Sequence, residues 1–137
     1  MKRLLFLLLL SSTFCVSNVF GQNSYTDDKI QLTSEIRDLE DKHNDRFYSY
    51  YAFSLKNKTN ETVKVDIDFI YFDGSTTRKA SNGDNSLVFT LAPNETLEGD
   101  IDAFRALTLF KKFNVGNSGK KSSDVENDLK EIKVKYL

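Results

Sequence analysis

The segment RFYSYYAFSLK, Arg46 to Lys56, places Phe47, Tyr51, Phe53 and Leu55 on one side and Tyr48, Tyr50 and Lys56 on the other. That is a period of two, which a helix cannot turn into a single apolar stripe and a half-buried strand can. The run VKVDIDFIYF, Val63 to Phe72, repeats the pattern with Val63, Val65, Ile67, Phe69 and Tyr71 on one face. The turn cluster NKTNE, Asn57 to Glu61, separates the two runs, and so short a connection reads as an antiparallel hairpin.

Further strands follow from the same reasoning. LVFTL, Leu87 to Leu91, stops at Ala92 to Glu95, where Pro93 presets a turn. Thr96 to Ala103 alternates Leu97 and Ile101 inward with Glu98, Asp100 and Asp102 outward, and Gly99 marks a bulge or a close backbone approach. Arg105 to Val115 and Leu129 to Leu137 complete the set; in the last, Ile132, Val134 and Tyr136 face away from Glu131, Lys133 and Lys135. Asp73 to Ser86 lacks apolar periodicity and reads as a long connection. Ile30 to Leu39 fits either a strand or a short N-terminal helix; the strand, followed by a loop over Asp38 to Asp45, is the preferred reading. The expectation is all-β: a two-sheet antiparallel, immunoglobulin-like sandwich of six to seven strands.

The N-terminus bears on location. Lys2 and Arg3 precede the apolar run Leu4 to Leu10, and Val19 and Gly21 supply the small residues of a signal-peptidase site, so residues 1–21 read as a cleavable signal. Seven apolar residues fall far short of the roughly 20 that span a bilayer, so no membrane segment is expected once the signal is removed. Lipidation at Cys15 is disfavoured by Phe14, which stands where a small residue is needed. Cys15 is the only cysteine, so residues 22–137 must fold as one sandwich domain without disulfides. A secreted or periplasmic setting is expected. Asn57, Asn60 and Asn94 head N-x-T sequons, glycan acceptors in a eukaryotic host and simple turn chemistry in a bacterium.

FSLKNKTNETVKVDIDFIYFDG followed by LAPNETLEGDI resembles the small exported immunoglobulin-like sandwiches typified by bacterial FxLYD-type domains. The resemblance spans Phe47 to Ile101. Asn94 stands where such turns usually carry glycine, and IYFDG replaces the name-giving run. It implies a fold and an exported setting and no reaction.

Catalytic raw material is sparse. His43 is the only histidine and sits among charges in EDKHND, so neither a histidine-based triad nor a zinc site of the His or Cys type has its parts. No glycine-rich phosphate loop is present, and no enzyme activity or nucleic-acid partner is expected. Gln22 to Asp102 carries 9 basic and 16 acidic residues, whereas Ala103 to Leu137 carries 8 and 4, an asymmetry able to steer a charged partner.

Two functional expectations result. In the first, the protein is a non-enzymatic binding or accessory module that engages a protein partner through a sheet face or edge. Its contact residues would be the exposed aromatics Tyr48, Tyr50 and Phe72, with Ile70, which breaks the alternation that Asp66 and Asp68 begin. In the second, it is a calcium-dependent surface or adhesion module. Asp66 and Asp68 on one strand, and Asp100 and Asp102 on another, each project about 7 Å apart from one face, and the two strands together would gather four oxygen ligands. Asp73 and Asp84 would add to such a site. A solvated strand face is the plainer reading of the same aspartates.

Overall fold

The computed structural model describes residues 24–80, 87–121 and 123–137. The expected signal peptide and Asp84 lie outside the described residues. The strands are β1 (Ser24–Thr26), β2 (Ile30–Asp41), β3 (Arg46–Asn57), β4 (Val63–Phe72), β5 (Thr77–Lys79), β6 (Leu87–Leu91), β7 (Thr96–Glu98), β8 (Thr108–Phe113) and β9 (Asp128–Tyr136). A 3-10 turn, Arg105–Leu107, leads into β8.

All pairings among the described strands are antiparallel and form two sheets, in keeping with the half-buried strands that the alternation predicts. Sheet A runs β1, β2, β3, and the far edge of β3 is shared end to end by β7 and β8. Sheet B is centred on β4, with β9 along one edge and β5 and β6 end to end along the other. The core lies between them. Phe53 of β3 stacks on Phe69 of β4 with ring centroids 4.0 Å apart, and Leu32, Leu55, Val65, Ile67, Leu91 and Leu107 close around the pair. Offset stacking of this kind adds to what burial of two large apolar rings already supplies.

Several expectations are corrected. The first segment is the strand preferred above rather than the helix, but its end is corrected: it continues through the expected loop to Asp41, because each residue from Ile30 to Asp41 finds a partner on β3 from Asn57 to Arg46. β3 and β4 are not a hairpin; they belong to different sheets, and the chain crosses from one to the other at Lys58 to Thr62. Both flanks of β3 are already taken, by β2 and by β7 with β8, so β4 has no free edge there to pair with. The connection after Phe72 is not wholly irregular: Asp73 bonds the amides of Ser75 and Thr76, Gly74 takes a φ of +93°, and the tight turn returns the chain as β5.

The strand expected from Thr96 to Ala103 stops at Glu98. Asp100 Oδ1 accepts from the amides of Asp102 and Ala103 and closes a turn. Gly99 marks the close approach anticipated for it, since a Cβ built there would sit 1.9 Å from the Leu107 carbonyl oxygen. Two crossovers meet at one end of the sandwich, β3 to β4 and β6 to β7, and fully buried Asn57 joins them. Its Nδ2 donates to the carbonyls of Glu61 (2.7 Å) and Ala92 (3.0 Å), and its Oδ1 accepts from the Thr59 amide and hydroxyl. A buried amide group is tolerated only when so paired. A glycan on Asn57 is therefore incompatible with this fold, whereas Asn60 and Asn94 are exposed.

Candidate aromatic site on the outer face of sheet A

On β3 the odd-numbered Tyr51, Phe53 and Leu55 enter the core, so Tyr48 and Tyr50 belong to the outer face of sheet A. Their neighbours come from β8. Phe110 pairs with Tyr50, Lys112 with Ser49 and Phe113 with Tyr48, which leaves Lys111 as one extra residue, a β-bulge. Strict alternation would send Phe110 and Phe113 to opposite faces. The bulge brings both to the outer face, their centroids 4.7 Å apart, with Tyr48 5.8 Å from Phe110 and 6.3 Å from Tyr50. These two phenylalanines were not legible as site residues, because the sequence carries no mark of the bulge.

The bulge is held from the side. Asn127 donates from its backbone amide to the Lys111 carbonyl and from its side chain to the Phe110 carbonyl at 3.0 Å. The Lys111 ammonium pairs with Glu126 at 2.9 Å and lies 5.4 Å from the Tyr51 ring centroid. Burial works to lower the Lys111 pKa, but Glu126 and Tyr51 more than offset it and the net direction is upward.

Two adjoining cavities flank the cluster and share Arg46, Tyr48 and Phe113. The first, about 300 Å³, opens toward Asp45, Asn114 and Lys120; the second, about 310 Å³, is walled by Ile101, Arg105 and Phe110 and is almost wholly apolar. Arg46 is held by Asp41 Oδ2 at 2.7 and 3.0 Å. The side-chain amide of Asn44, which donates to Asp41, and then the Arg46 guanidinium bring the Asp41 pKa down to about 2. Arg37 donates to the Gly99 carbonyl and so draws the Asp100 to Ala103 turn, with Ile101, over this face.

Each expected contact residue has a definite place. Tyr48 is half-buried at the heart of the cluster. Tyr50 is only 5% exposed, contrary to expectation, because Arg37 on β2 and Phe110 on β8 flank it in register; it supports the cluster from beneath. Ile70 and Phe72 lie on the outer face of sheet B, away from the cluster. β5 pairs alongside them, and Phe72 stays 37% exposed beside Asp128 and Thr77. His43 is exposed in the β2 to β3 turn.

The four aspartates of the calcium reading are not brought together. Asp66 and Asp68 lie on the outer face of sheet B, whereas Asp100 and Asp102 belong to the turn over sheet A. Asp66 stands opposite Lys135 and Asp68 opposite Lys133, and the Lys79 ammonium reaches Asp68 at 2.6 Å. Among the described residues no three acidic or histidine side chains converge as a cation site. The aspartates alternate because they share the outer face of β4 in register with lysines of β9, but only Asp68 closes an ion pair, with Lys79 of β5; Asp66 Oδ1 is buried without a hydrogen-bond partner among the described residues.

Comparison of the chain with family models, with curated proteins and with solved structures finds no match in any of the three. No helix among the described residues is long and apolar enough to cross a membrane.

Proposed function

We propose that the protein is an exported, non-enzymatic binding module that engages a protein partner through the outer face of sheet A. The observation that carries this reading is the bulge at Lys111, which aligns Phe110 and Phe113 with Tyr48 on a surface flanked by two cavities and edged by Arg46 and Arg105. Aromatic and arginine side chains in such settings supply most of the binding energy of protein interfaces. The sheet edges fit a docking role less well. β9 carries Lys130, Lys133 and Lys135 and a register shift beside Ile70, both devices that discourage strand addition.

The test is photocrosslinking in the native host. A benzophenone amino acid at Ala103, exposed in the turn over this face, should give a discrete adduct with one protein, and the same residue at Lys64, on sheet B, should not. Equal adduct yields from the two positions, or none from either, would sink the reading.

A further inference from the structure

We propose, resting on the reading above, that the two cavities form one groove for an acidic peptide segment of the partner that carries a single apolar anchor residue. The division of chemistry within the groove makes the assignment. One lobe, between Tyr48, Ile101, Phe110 and Phe113, offers almost no polar surface and has room for one apolar or aromatic side chain. Each lobe is edged by a cation that has no partner among the described residues: Arg105 at the apolar lobe and Lys120 at the other.

The other two cations are paired: Arg46 is bonded to Asp41, and Lys121 pairs with Asp124 at 3.2 Å. Asp45 accepts from the Asn117 amide at 2.9 Å and keeps its negative charge in the Lys120 lobe. The two free cations outnumber this one carboxylate, so the unmet demand of the groove is for negative charge, foremost beside Arg105 at the apolar lobe. Arg105 and Lys120 both come from Ala103 to Leu137, the stretch with 8 basic and 4 acidic residues, so the basic excess of the chain is partly delivered to this rim. A ligand of that pattern gains steering from the long-range field and holding from the anchor.

The experiment uses the folded protein and three fluorescein-labelled peptides: alternating Asp and Gly around a central Phe, the same peptide with Ser for Phe, and the same with Asn for every Asp. Fluorescence anisotropy should show the first binding at least about tenfold more tightly than either control, with affinity falling as salt is raised. Arg105→Glu with Lys120→Glu should weaken it about tenfold or more, while Lys64→Glu on sheet B should leave it unchanged. Circular dichroism and the urea midpoint confirm that each variant is folded; Arg105 and Lys120 are exposed, so their replacement leaves the core intact.

Equal binding of the three peptides, or undiminished binding by the double variant, would overturn the proposal. Self-association in the analytical ultracentrifuge that the double variant abolishes would overturn it too, by making a second copy the occupant. If the Ala103 crosslink forms while the acidic peptide fails, the binding face stands and only its acidic occupant falls. If both fail, the functional reading falls with it.

Discussion

Two polar side chains tie the sheets together in ways that hydrophobic pattern does not announce. Asn57 bonds both crossovers at one end, and replacing it by alanine strands the carbonyls of Glu61 and Ala92 and the Thr59 amide. Urea unfolding of Asn57→Ala should show a loss of about 2 kcal/mol or more. Asp27, in the turn between β1 and β2, accepts from the hydroxyls of Tyr136 and Tyr25 and from the amides of Lys29 and Ile30. Burial works to raise its pKa, yet these bonds, led by that of Tyr136, outweigh burial and bring it to about 2. The folded value lies below the unfolded one of about 3.9, so the stabilisation is present above pH 4 and is lost as pH falls toward 2. Chemical denaturation at stepped pH should accordingly show a shallower loss of stability between pH 4 and pH 2 in Asp27→Asn than in the wild type. Burial, and then the hydrogen bond to Asp27, also push the Tyr136 phenol well above its ordinary range.

At the scale of elements, β4 and β8 show how far alternation can be trusted. On β4 the pattern holds: Val65, Ile67 and Phe69 are fully buried while Asp66 and Asp68 lie on the other face, in register with Lys135 and Lys133 of β9. With Asp68 paired to Lys79, the other DID triplet closing a turn on the opposite sheet, and no third acidic ligand converging on either pair among the described residues, adding millimolar calcium should leave the melting temperature unchanged. A ligand present at 100 times its dissociation constant would instead add about 2.7 kcal/mol. On β8 the alternation fails at Lys111, so the face of Phe113 could not be read without knowing that Asn127 bonds the bulged backbone. The turn before β8 depends on Gly99, where a methyl group would strike the Leu107 carbonyl. Gly99→Ala should therefore destabilise by about 1 to 3 kcal/mol in urea titration, the usual range for overpacking.

For the whole molecule, one core joins the two sheets. Phe53→Ala removes a ring that is 1% exposed and stacked on Phe69, and should cost about 3 to 5 kcal/mol in a denaturant titration. Because that core is shared, near-UV and far-UV signals should also report a single coincident unfolding transition. The all-β class and five of the strands, β3, β4, β6, β8 and β9, were close to legible from alternating apolar residues, a pattern that burial follows strictly along most of β4 and all of β6 and that β3, β8 and β9 break. Strands of three residues such as β1 and β5 are too short to carry a period. β2 was only half legible, because its outer half reads Glu35, Arg37, Asp38 and Glu40 and owes its extended form to pairing with β3.

The sequence by itself determined the local part of this protein: which segments are extended, which of their faces are apolar, and that the aspartates of VKVDIDFIYF share one face. These are consequences of backbone geometry and side-chain type within a few residues. Only the tertiary structure decided which strands pair, that β3 and β4 part company into different sheets, and that Phe110 and Phe113 meet Tyr48 on one surface. Those outcomes rest on competition for strand edges and on one extra residue in one strand. Both are settled by partners far away in the chain, as when Asn127 holds the bulge at Lys111.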